Sequence, residues 1–208
     1  MSRSYLTVRG ETESVTEIKR SKFIATIAHV EGGEEAENFV RGVRKRYSDA
    51  THNCYAYIAD ERGSEARFSD DGEPGGTAGQ PMLEVLKKRG LVKTAVVVTR
   101  YFGGIKLGAG GLVAAYTDSV VTAVDCAEKV TMTECTRFVV RCSYPDHPPL
   151  EQALTRYGAK KLAAEYGEGI ESEWCVECEK ESEALALVEA QSSGRVRAEV
   201  TGRSFEAL

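Results

Sequence analysis

Apolar and polar positions repeat along this chain with two periods, two and about three and a half, and the switches between them outline its elements. From 138 to 144, Phe138, Val140, Cys142 and Tyr144 alternate with Val139, Arg141 and Ser143, the pattern of a strand with one apolar face. Pro145, His147, Pro148 and Pro149 interrupt it. Residues 150–157 predict a short helix ended by Gly158, and 161–166 a strand that turns at Gly167-Glu168-Gly169. The return strand, 170–180, sets Trp174, Val176 and Cys178 on one side and Glu173, Cys175, Glu177 and Glu179 on the other. A helix over 183–191 and a strand over 196–205 complete the order strand-helix-strand-strand-helix-strand, which is the ferredoxin-like βαββαβ pattern.

The first 128 residues mix the two periods differently. Strand patterns over 13–20 and 22–30 precede a helix over 34–47, and a strand over 54–59 leads into an acidic glycine-rich loop. Thr77 is expected to cap a helix running to Lys88. Residues 94–101 form a nearly continuous apolar strand, and 110–126 a helix apolar over most of its circumference, expected in the core. The chain therefore reads as α+β in two domains, 1–128 with α/β-like alternation and 129–208 ferredoxin-like, with the boundary at 129–133.

Two glycine-rich loops carry the candidate chemistry. The first, Ser69-Asp70-Asp71-Gly72-Glu73-Pro74-Gly75-Gly76-Thr77, precedes one helix; the second, Arg100-Tyr101-Phe102-Gly103-Gly104-Ile105-Lys106-Leu107-Gly108-Ala109-Gly110-Gly111, joins the apolar strand to the next. A glycine-rich loop entering a helix suits an anion, because the first N–H groups of the helix are unpaired and carry partial positive charge. Gly103, Gly104, Gly108, Gly110 and Gly111, with Arg100 and Lys106 at the rim and His52 and Thr77 as further contacts, are the candidate anion-binding residues. The loop matches neither the dinucleotide fingerprint nor the phosphate-loop pattern, and close packing of helix on strand would use the same glycines. Asp70, Asp71 and Glu73 are candidates to hold Mg²⁺, or else form a solvated turn that caps a helix. His52 reads as a general base, a phosphate contact or a hydrogen-bonded strand-entry residue, and Cys54 lies two residues on as a nucleophile candidate. No catalytic set of nucleophile, base and orienting group emerges.

Composition narrows the classes. Residues 1–128 hold 17 basic against 18 acidic side chains and residues 129–208 hold 10 against 14, so neither half has the basic excess of a nonspecific nucleic-acid binder. Basic clusters at Arg41-Gly42-Val43-Arg44-Lys45-Arg46 and Lys87-Lys88-Arg89 suit either a solvated helix end or a partner surface. The amino terminus lacks the apolar run of a signal peptide and no stretch approaches a membrane span, so a soluble, cytoplasmic protein without membrane contact is expected. The six cysteines then read as reduced thiols, and Cys175-Val176-Glu177-Cys178, lacking a second such pair, as part of a strand.

Ser21-Lys22-Phe23-Ile24-Ala25, His52-Asn53-Cys54-Tyr55-Ala56-Tyr57 and the two loops, occurring in this order, resemble the YigZ/IMPACT family. The resemblance implies a first domain like the second domain of a small-subunit ribosomal protein, and a second domain similar to the last domain of the translocation elongation factor. Eukaryotic members regulate translation; this chain shows no RWD-like domain ahead of the motifs, so their partner does not transfer. The resemblance supplies no catalytic residues. The expectation is a noncatalytic, translation-associated regulator that binds RNA, the ribosome or a protein partner through first-domain loops. The alternative is an enzyme for a nucleotide or phosphorylated metabolite.

Overall fold

The computed structural model describes residues 3–208. The chain divides into two compact units, one of residues 5–130 and one in which residues 3–4 join residues 131–208.

In the first unit, β2 (Glu11–Ile18), β3 (Ser21–His29), β4 (His52–Ile58), β5 (Ala66–Ser69) and β6 (Thr94–Tyr101) form one sheet in the order β2-β3-β6-β4-β5. Every neighbouring pair is antiparallel, so this half is α+β. Helices α2 (Gly79–Lys88) and α3 (Ala109–Cys126) cover one face: Met82, Leu86, Leu112, Tyr116 and Val120 pack on Phe23, Ile27, Ala56 and Val98. Helix α1 (Gly33–Arg46) covers the other, where Ala36, Val40 and Val43 meet Tyr57, Ala95 and Val97. Burial on both faces is why β6 reads as an unbroken apolar run rather than an alternation.

Two elements escape the periodicity. Strand β5 has four residues, none buried, and β1 (Ser4–Val8) is a five-residue strand near the terminus. Helix α3 also departs from expectation. Leu112, Ala115, Tyr116, Ser119, Val120, Ala123 and Val124 form its buried stripe, whereas Val113 is 38% exposed and Ala114 is also exposed. The apolar outer residues are small enough to be left in water at little cost, so apolarity all round did not require burial all round.

The second unit contains β7 (Lys129–Cys142), α4 (His147–Tyr157), β8 (Lys160–Tyr166), β9 (Ile170–Glu177) and, after a short 3₁₀ turn at Cys178–Lys180, α5 (Glu181–Gln191) and β10 (Ala198–Glu206). Its strands run β10-β7-β9-β8, all antiparallel, the ferredoxin-like order; β1 also borders β7. Phe138, Val140, Trp174 and Val176 pack under Leu150, Leu154, Ala184 and Val188 of the two helices. Residues 129–133, expected as the boundary, are the start of a 14-residue strand. Helix α4 begins three residues early because Pro148 and Pro149 lie in its first turn, where a missing N–H breaks no helical bond. Among the described residues no helix is long and apolar enough to cross a membrane.

Candidate functional site

The sheet register brings the two glycine-rich loops together. His52, at the start of β4, lies directly opposite Arg100, near the end of β6. Arg100 is 5% exposed, and its guanidinium sits 5.5 Å from the Phe23 ring centre and 5.4 Å from that of Phe102. Its Nη1 donates to Glu73 Oε1 at 2.6 Å, and its Nη2 lies 3.4 Å from Ser21 Oγ. Glu73, from the first loop, is 8% exposed and also accepts the Tyr116 hydroxyl of α3 at 2.8 Å. The Arg100 Nε is buried with no hydrogen-bond partner.

His52 joins this network at its edge. Its Nδ1 is 2.8 Å from the Asp71 carbonyl oxygen, which can only accept, so Nδ1 carries the proton. The other nitrogen, Nε2, is then an acceptor in the neutral ring and lies 3.9 Å from Glu73. Cys54 points into the core. Its single thiol proton has two acceptors in reach, the Asp70 carbonyl at 2.9 Å and the Tyr116 hydroxyl at 3.3 Å. Burial, with the charges of Glu73, Asp71 and Asp70 adding to it, pushes the thiol up to about 12 despite the Tyr116 bond. Burial also raises the Tyr116 phenol. Such a thiol remains protonated at neutral pH and is a poor nucleophile.

The three acids of the first loop take separate partners. Asp70 Oδ1 accepts the Ala78 and Gly79 N–H groups at 3.0 and 2.8 Å and Oδ2 accepts Gly76 at 2.8 Å, so Asp70 caps α2 from eight residues away. Burial opposes its ionisation, but these three N–H donors outweigh it and hold the carboxyl below its ordinary value. Thr77, the expected cap, instead donates its hydroxyl to the Pro74 carbonyl at 2.7 Å. Asp71 is split between Arg44 at 2.7 Å and the Asn53 N–H at 2.7 Å. Among the described residues no cluster of three metal-ligating side chains forms.

The second loop is shaped by two requirements. A Cβ at Gly103 would lie 1.9 Å from the Arg20 carbonyl oxygen, so backbone passes backbone there. Gly108, at φ +75°, turns the chain into the first residue of α3. Gly104 lies between them, and Gly110 and Gly111 fall in the first turn of α3. Between this turn and the first loop opens a cleft of about 360 Å³, lined by Glu73, Pro74, Arg100, Phe102, Lys106 and Gly108 among others. Arg100 and Lys106 therefore meet at one cleft with Glu73; His52 reaches it through Glu73, and Thr77 and Asp70 serve the turn before α2. Sequence reasoning missed Tyr116, Ser21 and Phe102. Tyr116 carries a signal in retrospect, as the one phenol in the buried stripe of α3, where a hydroxyl needs a partner.

Two of the four cations in the basic cluster of α1 are paired with carboxylates. Arg44 pairs with Asp71 and lies over the Tyr55 ring at 5.2 Å, and Arg46 pairs with Glu11 at 2.8 Å. In the second unit the glutamate row is neutralised in turn, because the register sets arginines beside it: Arg137 meets Glu173 at 2.7 Å and Arg141 meets Glu171 at 2.6 Å. Cys175, expected on a solvent face, is fully buried, and Cys178 lies beyond the strand in the 3₁₀ turn.

Fold and cleft define an α+β protein of two compact units whose first sheet ends beside a cleft lined by Arg100, Glu73 and Lys106, with Gly108 the one candidate glycine among its lining residues. Residues 19–124, which contain all four of those residues, match the model of the Impact N-terminal domain. The chain is 39% identical over 165 residues to the IMPACT family member YigZ of Escherichia coli, covering 78% of this chain and 81% of that protein. It is 52% identical over 120 residues to the IMPACT family member YvyE of Bacillus subtilis, covering 58% and 55%. A crystal structure described as that of a hypothetical protein superposes with a TM-score of 0.63 at 35% identity over 95% of this chain and 97% of that one. The chain belongs to the IMPACT family.

Proposed function

We propose that this protein is a noncatalytic, translation-associated regulator that engages a phosphate-bearing partner, RNA or the ribosome, at the cleft before α3. One observation carries the reading: the amino terminus of an 18-residue helix opens onto a cleft lined by exposed Lys106 and by Arg100, whose Nε is buried without a hydrogen-bond partner. The partial positive charge of a helix amino terminus, the Lys106 ammonium and the Arg100 guanidinium border one cleft and together suit a phosphate oxyanion. The reactive side chains beside the cleft are engaged in the fold rather than poised for chemistry. The Cys54 thiol is raised to about 12, and Glu73 is held by Arg100 and Tyr116.

Calorimetric titration of inorganic phosphate into the wild type and Lys106→Ala tests the cleft. Roughly tenfold weaker binding in the variant is expected, with affinity falling as salt rises. Equal binding by both would remove Lys106 as a contact, and no binding by either would remove the cleft. The competing reading, an enzyme acting on a small phosphorylated metabolite, is favoured by the cleft's volume of about 360 Å³. It would gain if such a compound bound and was turned over while RNA did not bind.

A further inference from the structure

The turn beside the cleft carries a feature that neither folding nor the cleft explains. Lys19 and Arg20 form the two-residue connection between β2 and β3, closed by the pair Ile18↔Ser21, with φ of +47° and +65°. Hairpin connections with two positive φ values strongly favour Asn-Gly or Asp-Gly, since residues with longer side chains are disfavoured there. Two long cations occupy it instead. The Arg20 carbonyl lies against Gly103, and the Gly103 N–H donates to Ser21 Oγ at 3.2 Å, so this tip is fixed against the second loop.

Around the tip the surface is cationic and apolar together. Lys19, Arg20 and Lys106 are all exposed, and none has a carboxylate within 4 Å among the described residues; Lys22, also exposed, alternates with Phe23 and lies on the other face of the sheet. The acids nearest in register are Glu17, opposite Lys22, and Asp49, which accepts the Tyr101 hydroxyl at 2.8 Å. Phe102 is 47% exposed and Ile105 40% exposed, both in the loop that joins Arg100 to Lys106. Elsewhere in the unit Arg44, Arg46, Arg67 and Arg89 sit on carboxylates.

We infer that this surface, Lys19 and Arg20 with Phe102, Ile105 and Lys106, binds single-stranded nucleic acid, with the cations on phosphates and the Phe102 ring under a base. Cations interleaved with an exposed ring are what strand binding uses, whereas an acidic protein surface would need the charges alone. The inference extends the cleft reading, in that Lys106 belongs to both, and it names the partner as a strand running from the cleft across the hairpin tip.

Fluorescence anisotropy of an end-labelled oligouridylate with the full chain tests it, between about 50 and about 200 mM salt. The double variant K19N/R20G replaces the tip by the residues the turn prefers, so folding is protected while two charges go. It should bind the oligonucleotide at least about tenfold more weakly and with a salt slope shallower by roughly 1.4, as expected for two lost contacts on a single strand, while inorganic phosphate binds as in wild type. Phe102→Ala should weaken binding with the slope unchanged. Unaltered oligonucleotide affinity in K19N/R20G, no binding by the full chain at the lower salt, or equal displacement by polyglutamate would overturn the inference. Loss of phosphate binding alone would count against the cleft and not against the hairpin tip.

Discussion

Replacing Glu73 by Gln keeps an acceptor for Tyr116 but strips the countercharge from a guanidinium that is 5% exposed. Breaking a buried pair on one side costs about 3–5 kcal/mol, so Glu73→Gln should lower the melting temperature by on the order of 10 °C in a chain of this size. Replacing both partners, as in Glu73→Leu with Arg100→Met, should cost less than Glu73→Gln alone, since no uncompensated charge is left buried. Asp70 makes a separate, pH-dependent contribution. Its carboxyl is held below its ordinary value by three N–H donors, so its stabilisation is fully present above the unfolded value near 4 and is lost as pH falls through the lower folded value. Urea midpoints of wild type and Asp70→Asn should therefore differ at pH 6 and converge towards pH 2. The sequence marked Asp70, Asp71 and Glu73 together, as a Mg²⁺ set or as a turn that caps a helix, and Asp70 follows the second reading. Their division into a helix cap and an ion pair depends on contacts with Gly79 and with Arg100, 27 residues from Glu73, which only the strand register supplies.

At the scale of elements, Gly103 shows how far a turn can depend on one position. An added methyl would meet the Arg20 backbone, which cannot swing aside as a side chain could. Gly103→Ala should therefore separate the hairpin tip from the second loop, with a cost above the roughly 1 kcal/mol of an ordinary glycine replacement and faster amide exchange at both segments. Gly104→Ala, where nothing lies within 4 Å, should meet only the φ penalty at +84°. The long elements were legible because their burial is periodic: α1 buries Ala36, Val40 and Val43, and β9 alternates about Trp174. Strand β5 was not, since its side chains are half-buried or exposed and only pairing with β4 holds it extended. The start of α4 was misread because prolines signal a break in sequence yet are accommodated in a first helical turn.

For the whole molecule, the two sets of buried side chains are separate: one under α2 and α3 with its counterpart under α1, the other under α4 and α5. Composition announced a chain large enough for two domains, and the ferredoxin-like order followed from element order alone. The units divide between residues 130 and 131, within a β7 that runs unbroken through the expected boundary at 129–133 with no glycine or proline to mark it, and residues 3–4 group with the second unit. Two cores imply that damage to one is felt locally. Leu86 and Leu154 are each fully buried, in the first and second core respectively. Truncation of either to Ala should cost about 2–5 kcal/mol. In hydrogen exchange followed by mass spectrometry, Leu154→Ala should speed exchange in β7, β9 and α4 while β3 and β6 keep wild-type protection, and Leu86→Ala should do the reverse. If either variant raised exchange equally in both sheets, the chain would be one cooperative unit. Ligand binding at the cleft would then report on the stability of the second unit as well as the first.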